Sequence, residues 1–388
     1  MCRRPTHVLT VLLLGLVAFG FAAVGAAQTA EECRQPITLG RGPVGFVVPS
    51  TYNPQKPTPL IVLLHPFASA GSLHSSYMQL GEQAEAKKFI YAYPDGTTNP
   101  AGKGFWNATD ACCDIFGSGV DDTAYLLSLV EALEAQCNID PRRIYFGGLS
   151  NGGFMSHRMA CEHADKVAAI ASLAGTTFDR QRDCRPSEPV HVLQIHGTAD
   201  QTISYGGGRI FGLPRYPGAK RTVRHWARRN GCSRQPEVDP LLLDFDTEVP
   251  EAESTVERYE RACEPGGSVE LWSLEGSGHV PAINNRFRKD WVDYLLEHRK
   301  PAACVTREAI GAAFCRDDGA GIVRLKGGEG RARYTVELDT GRTVSGLLKP
   351  NGRARVVLRD LEAGPHEVTV RWDCGAESTR TVVCPSGQ

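Results

Sequence analysis

From Leu60 onward the hydrophobic pattern alternates between two periods. Leu60-Ile61-Val62-Leu63-Leu64 is a continuous apolar run, the pattern of a strand buried on both faces. Residues 76–88 have helical spacing, and Phe89-Ile90-Tyr91-Ala92-Tyr93 is the next strand, stopped by Pro94-Asp95-Gly96. A long loop rich in Gly, Asn, Trp and Cys, about 96–119, precedes an amphipathic helix over 122–136 that Asp121 or Asp122 caps. Further strands are predicted at 143–146, 167–171, 190–195 and 269–274, with helices after 151, over 219–230 and over 285–298. Residues 241–265 read as irregular or short-stranded. Strand and helix alternating in this way predict an α/β fold with a doubly wound, mostly parallel sheet over residues 34–300. After Lys300-Pro301 the period becomes two. About six short alternating segments occupy 321–383, with turn signals at Asp339-Thr340-Gly341 and Asn351-Gly352. They predict a separate small β-sandwich over 315–388, able to bind polymer or to stabilise the first domain.

The N-terminal pattern is different again. Arg3 and Arg4 precede an apolar run from Val8 to Val24 and the small pair Ala26-Ala27, which reads as a signal peptide over 1–27. The mature chain is then expected to be secreted, or periplasmic in a Gram-negative source, with no membrane attachment after cleavage. Cys2 leaves with that segment, so 12 of the 13 cysteines remain, and an oxidising compartment makes disulfides the default. Cys161 with Cys184 and Cys232 with Cys263 are plausible pairs, while Cys112 and Cys113 could hold one bridge each. A net charge of -1 in 388 residues gives no reason to expect nucleic acid as a partner. No Cys/His spacing resembles a zinc site, and no metal is expected.

Against that frame of strands and helices, Gly147-Gly148-Leu149-Ser150-Asn151-Gly152-Gly153 stands out. It lies between a short β-prone run and a helical one, so it reads as strand, tight turn, helix with a serine at the turn. A Cβ at Gly148 or Gly152 would collide with strand or helix, and Gly153 lets the helix pack close. Ser150 Oγ would project above the sheet at a helix N-terminus that favours developing negative charge.

An acyl-transfer serine needs a base, an orienter for that base and an oxyanion hole, all at carboxyl ends of strands. Asp200 follows the 190–195 strand and His279 follows the 269–274 strand, in the chain order Ser150, Asp200, His279. Other histidines fit less well. His157, His225 and His298 lie on predicted helices, His191 lies within a strand, and His65 and His196 are placed to hydrogen-bond backbone. The oxyanion donors are expected to be the N–H groups of Asn151 and Phe67, since Pro66 has none. Trp106 is a candidate substrate wall, or else a core tryptophan that pins the long loop. Tyr205-Gly206-Gly207-Gly208 is expected to shape the cleft rim, and Asn107-Ala108-Thr109 matches a glycosylation acceptor.

The segments Gly148-Leu149-Ser150-Asn151-Gly152-Gly153-Phe154-Met155, Phe105-Trp106-Asn107-Ala108, Val120-Asp121-Asp122, His196-Gly197-Thr198-Ala199-Asp200 and Gly276-Ser277-Gly278-His279 resemble those of secreted esterases. That family comprises polyhydroxybutyrate depolymerases, feruloyl esterases and acetylxylan esterases, and the likeness covers about 40–298. It implies an α/β-hydrolase fold, ester hydrolysis without a cofactor, a polymeric or small ester substrate, and triad roles for Ser150, Asp200 and His279. The chain departs from the family at His65-Pro66, where His-Gly is usual, and at Val280-Pro281, where Trp-Pro is often found. Two rival readings are a non-catalytic polymer binder on a hydrolase scaffold and a serine peptidase of the same fold.

Overall fold

All seven residues of Thr58–Leu64 are buried, and they divide between two cores. Leu60, Val62 and Leu64 pack with Leu126, Phe154 and Val223. Ile61 and Leu63 pack with Met78, Phe287 and Trp291 on the opposite face. Alternate side chains of a strand point to opposite faces, so an unbroken apolar run marks a sheet covered on both sides. The computed structural model describes residues 29–301, 308–316, 319–326, 333–349, 351–372, 374 and 376–385. The expected signal peptide, 1–27, lies outside the described residues.

The chain runs β1 (Ile37–Leu39), β2 (Gly42–Val47), β3 (Thr58–Leu64), α1 (Gly71–Met78), α2 (Gly81–Lys87) and β4 (Ile90–Tyr93). A short hairpin, β5 (Thr97–Thr98) and β6 (Gly104–Phe105), leads to α3 (Asp122–Gln136), β7 (Ile139–Leu149), α4 (Asn151–Glu162), β8 (Ala169–Leu173) and β9 (His191–Gly197). A second hairpin, β10 (Gly207–Arg209) and β11 (Arg215–Pro217), precedes α5 (Ala219–Arg229), β12 (Glu237–Val238), β13 (Ser254–Tyr259), β14 (Ser268–Leu274) and α6 (Asn285–Glu297).

Ten strands form one sheet in the order β1-β2-β4-β3-β7-β8-β9-β14-β13-β12. From β4 to β14 every neighbour is parallel. β2 joins β4 antiparallel, and β13 and β12 extend the sheet antiparallel beyond β14. This is the α/β-hydrolase arrangement that the resemblance implied. From β3 the chain moves outward to β4, then crosses back to β7 on the other side. The crevice between the carboxyl ends of β3 and β7 is therefore the switch point at which such sheets place their sites.

Two expectations change in detail. The helix predicted over 76–88 is two helices, because Gln79 takes a left-handed turn (φ 51°) and delivers Leu80, fully buried, into the second core. The 241–265 stretch supplies a regular six-residue strand, β13.

The C-terminal strands are β15 (Ala309–Cys315), β16 (Gly321–Lys326), β17 (Arg333–Leu338), β18 (Thr343–Leu347), β19 (Ala354–Leu358), β20 (Gly364–Trp372) and β21 (Glu377–Cys384). They make two antiparallel sheets, β15-β16-β19 and β18-β17-β20-β21. Ile310, Val323 and Val356 of the first sheet and Val336, Val368, Val370 and Trp372 of the second share one buried cluster.

Disulfides join Cys33 to Cys137, Cys161 to Cys184, Cys232 to Cys263 and Cys315 to Cys384. The pairs expected at 161/184 and 232/263 are thus present. Cys112 and Cys113 do not hold one bridge each. With their Cα atoms 3.0 Å apart across a cis peptide, their sulfurs bond to each other.

Candidate active site

β7 runs into α4 through a single residue, Ser150, at φ 56° and ψ −118°. This left-handed conformation costs a non-glycine residue about 1–3 kcal/mol, and the surroundings enforce it. The Ser150 N–H donates to Leu173 O at 2.7 Å and its carbonyl accepts from Phe154 N at 2.9 Å. A Cβ at Gly148 or Gly152 would overlap the Leu64 carbonyl at the end of β3, so only glycine admits this approach. Ser150 is buried at the head of α4 and its side chain makes no capping bond.

Asp200 and His279 leave the adjacent parallel strands β9 and β14, and they meet. His279 Nδ1 is 2.7 Å from Asp200 Oδ2. An ionised carboxylate only accepts, so Nδ1 carries a proton, and in the neutral ring Nε2 presents the lone pair. The carboxylate is held by further donors: Oδ1 accepts from the N–H groups of Thr202 (2.8 Å) and Ile203 (2.9 Å), and His196 Nε2 lies 3.4 Å from Oδ2. His196 Nε2 also donates to Ile203 O at 2.7 Å, which fixes its tautomer. Burial would raise the Asp200 carboxyl. The hydrogen bonds from His196 and His279, the charge of His279 and the Ile203 N–H outweigh it, holding the group below the usual carboxylate range.

Asp246, to which no sequence pattern points, braces the turn that carries His279. It accepts from Ser277 Oγ at 2.7 Å on one side and from Ala282 N at 3.0 Å on the other. Tyr77 adds a bond from its hydroxyl to Pro281 O at 2.8 Å. The hydrogen bonds among the described residues include none between Ser150 Oγ and His279. The fold gives these two a common level at the carboxyl ends of β7 and β14, with β8 and β9 between them.

After β3, the Ala68 N–H is taken by Gly104 O at 2.8 Å, whereas the N–H groups of Phe67 and Asn151 have no acceptor among the described residues. Both face the requirement for an oxyanion donor with a free proton. His65 is buried and structural: Nδ1 donates to Pro66 O at 2.8 Å and Nε2 accepts from Gly96 N at 2.9 Å. Burial lowers its basicity.

Trp106 does not wall the site. Its side chain is fully buried, with Nε1 donating to His65 O at 3.1 Å. Its backbone N–H donates to Asn151 Oδ1 at 2.7 Å, and its carbonyl accepts from Asn151 Nδ2 at 2.8 Å. It is the core tryptophan that pins the long loop, and Asn151 is what it is pinned to. Asn107 likewise points inward, donating Nδ2 to Val120 O at 2.9 Å, so the amide of the glycosylation-like triplet is engaged. The exposed apolar groups near these turns are Phe211, whose ring lies 5.6 Å from that of Phe67, and Val280 beside His279. Tyr205 leads into the β10–β11 hairpin and bonds through its hydroxyl to Ser273 Oγ at 2.7 Å. Among the described residues no group of three or more His, Cys, Asp or Glu could hold a metal ion, and no helix is long and apolar enough to cross a membrane.

Comparison with known proteins finds esterases. Residues 48–193 match the family model described as Esterase PHB depolymerase. Feruloyl esterase B of Piromyces equi is 31% identical over 242 residues, 60% of this chain and 41% of that protein. The chain thus spans less than half of that relative's length. Feruloyl esterase D of Neurospora crassa is 26% identical over 75% of this chain and 95% of its own length. An acetylxylan esterase of Coprinopsis cinerea is 28% identical over 64% of this chain and 69% of its own. Between residues 48 and 193, strand β3 through the elbow at Ser150 and into β9, the chain matches the Esterase PHB depolymerase model, and the relatives it resembles are named as esterases.

Proposed function

We propose that the chain is a serine carboxylic-ester hydrolase in which Ser150, His279 and Asp200 act as a triad. The observation that carries this reading is the 2.7 Å His279–Asp200 bond at the same sheet end as a serine held at a left-handed turn. Ser150 Oγ attacks the ester carbonyl carbon while its proton passes to His279 Nε2. The N–H groups of Asn151 and Phe67 receive the oxyanion. His279 then gives that proton to the departing alcohol as the C–O bond breaks, leaving an acyl-serine. Water repeats the sequence, and the acid leaves. Asp200 stays ionised throughout and holds the imidazole orientation.

The esters are polymer-linked in this reading: feruloyl or acetyl groups on plant polysaccharide, or polyhydroxybutyrate itself, as the names of the relatives and of the domain suggest. The chain is exported, consistent with its disulfides. Residues 34–300 perform the chemistry and 315–388 form a separate domain. The test is labelling with a fluorophosphonate followed by product assays on the three polymers. One phosphonyl adduct on the wild-type protein, absent from Ser150→Ala, is expected. Equal labelling of both proteins would refute the assignment.

A further inference from the structure

Away from the triad, one face of α5 carries charge that ester hydrolysis does not use. Arg221, Arg224 and Arg228 recur at intervals of three and four residues, which places them in one stripe on a helix. All three are exposed. Together with Arg180 and Gln181 of the neighbouring segment they line an open cavity of about 460 Å³. A second cavity of about 300 Å³ shares Arg224 and Arg228 and continues toward Arg234 and Tyr259. Arg224 and Arg228 line both cavities, which therefore adjoin along this face of α5 as a groove.

Charge is only partly balanced along it. Arg221 pairs with Asp179 at 3.0 Å and Arg180 with Asp183 at 2.7 Å. No carboxylate among the described residues lies within ion-pair distance of Arg224, Arg228 or Arg234, in a chain whose net charge is -1. His225 forms part of the wall. It is 3% exposed, and its Nδ1 has no hydrogen-bond partner among the described residues. Burial, then the charges of Arg229, Arg221 and Arg228, lower its pKa to about 4, so its ring is neutral near pH 7.

A groove of this form suits an extended anion better than a single ion. Arg224 and Arg228 are separated by about 6 Å along the helix, four residues at 1.5 Å each, close to one sugar of an extended glycan. The guanidinium fork matches a carboxylate in two-point contact. The groove offers no exposed aromatic ring on which a nucleic-acid base could stack. We propose that it binds a uronate-bearing polysaccharide strand, with Arg224 and Arg228 each taking a carboxylate. The choice of a polysaccharide rests on the esterase reading; the choice of an anionic one rests on the groove.

Titration calorimetry of the full chain with an oligogalacturonate, a neutral xylo-oligosaccharide of equal length and inorganic phosphate tests this. Expected are binding of the oligogalacturonate that weakens with salt, no comparable binding of the neutral glycan, and a loss of about ten-fold or more when Arg224→Gln and Arg228→Gln are combined. Turnover of a short soluble ester should be unchanged in that double variant. Equal binding of neutral and charged glycans, no binding of either, or wild-type affinity in the double variant would each overturn the proposal. Phosphate bound as tightly as the oligogalacturonate would replace the polymer groove with a small-anion site. The same titrations on Ser150→Ala protein read binding without hydrolysis, so failure of the esterase reading and failure of this one remain distinguishable.

Discussion

The indole N–H of Trp226 on α5 donates to Nδ1 of His157 on α4 across 3.0 Å. That makes Nδ1 an acceptor, so Nε2 must donate, to Gln194 Oε1 at 3.0 Å. Gln194 Nε2 in turn donates to Gly175 O at 2.8 Å. All three side chains are fully buried, and the relay ties both helices to β9 and to the turn after β8. An imidazolium at 157 would have to donate from the atom that Trp226 already occupies.

Burial accordingly lowers the pKa of His157 to about 4. The folded value lies below the unfolded one, near 6.5. As pH falls, the unfolded state takes up the proton first, so stability is complete above about 6.5 and is lost down through about 4. His74, lowered to about 3 by burial and then by His65, adds to the same slope. Denaturant melts across this range should show the loss, with His157 contributing on the order of 3 kcal/mol. A His157→Gln variant should be less stable at neutral pH but show a shallower slope. An unchanged slope would mean that another group takes up the proton.

Ser150→Ala should fold and lose at least about 10³-fold in turnover of an activated ester, because members of a triad act as a unit. Ser150→Gly should be equally inactive and more stable than Ser150→Ala by about 1 kcal/mol, since glycine accepts the left-handed turn without strain. Near-wild-type turnover in either variant would remove Ser150 as nucleophile. Equal stability of the two would mean that the elbow is unstrained.

His279→Ala should cost a factor similar to Ser150→Ala, and Asp200→Asn somewhat less. Because Asp200 is held below the usual carboxylate range, its contribution to stability is present above the unfolded carboxyl value, about 3.9, and disappears only at more acid pH. The acid limb of kcat/KM should therefore fit a single proton. His196→Gln is expected to shift that limb and lower turnover only modestly. A larger loss there than in His279→Ala would show the wrong histidine to be the base.

A chain ending after Pro301 should hydrolyse a short soluble ester with little change. The cut belongs there and not at His298, because Tyr145 donates to His298 O at 2.6 Å and Lys300 N donates to Arg142 O at 2.9 Å. On an insoluble polymer the shortened chain should be slower if residues 315–388 are an attachment domain, since a second contact raises local ester concentration. A folded but inactive product on the soluble ester would show that the C-terminal sheets belong to the active site.

Non-reducing mass spectrometry should find few alkylatable thiols in the mature chain. Replacing Cys33 and Cys137 by serine removes a bridge that spans 104 residues and should cost about 2–5 kcal/mol in denaturant melts. Eight or more free thiols would reject the exported, oxidised state.

The parts of this molecule that were legible in its sequence are those governed by short-range pattern. Leu60–Leu64 announced a central strand because both faces are covered. Ser150 announced an elbow because glycines at 148 and 152 are required by the Leu64 carbonyl. Asp200 and His279 could be placed at strand ends because the period of the flanking residues locates those ends. Most of what could not be read depends on contacts distant in sequence. Trp106 is equally plausible as a ligand face or a core ring until Asn151, 45 residues away, is seen to hold its backbone. Asp246 lies in a stretch with no periodicity, and its role appears only where it meets Ser277 and Ala282. The Cys112–Cys113 bond is invisible to any rule that assigns each cysteine a distant partner.

The paired bonds between Asn151 and Trp106 have a consequence for how such a protein can change. The residue that follows Ser150, the proposed nucleophile, is clasped to the base of the long loop through its side chain, which leaves its backbone N–H unspent. Beyond that clasp, Phe116 is exposed and the loop tip turns through Gly117 and Gly119 at positive φ. Substitutions at the tip can change that part of the surface while the clasp keeps the turn at Ser150 in place. Loop variation and the geometry of the elbow are thereby separable, so the tip can vary without first dismantling the turn beneath it.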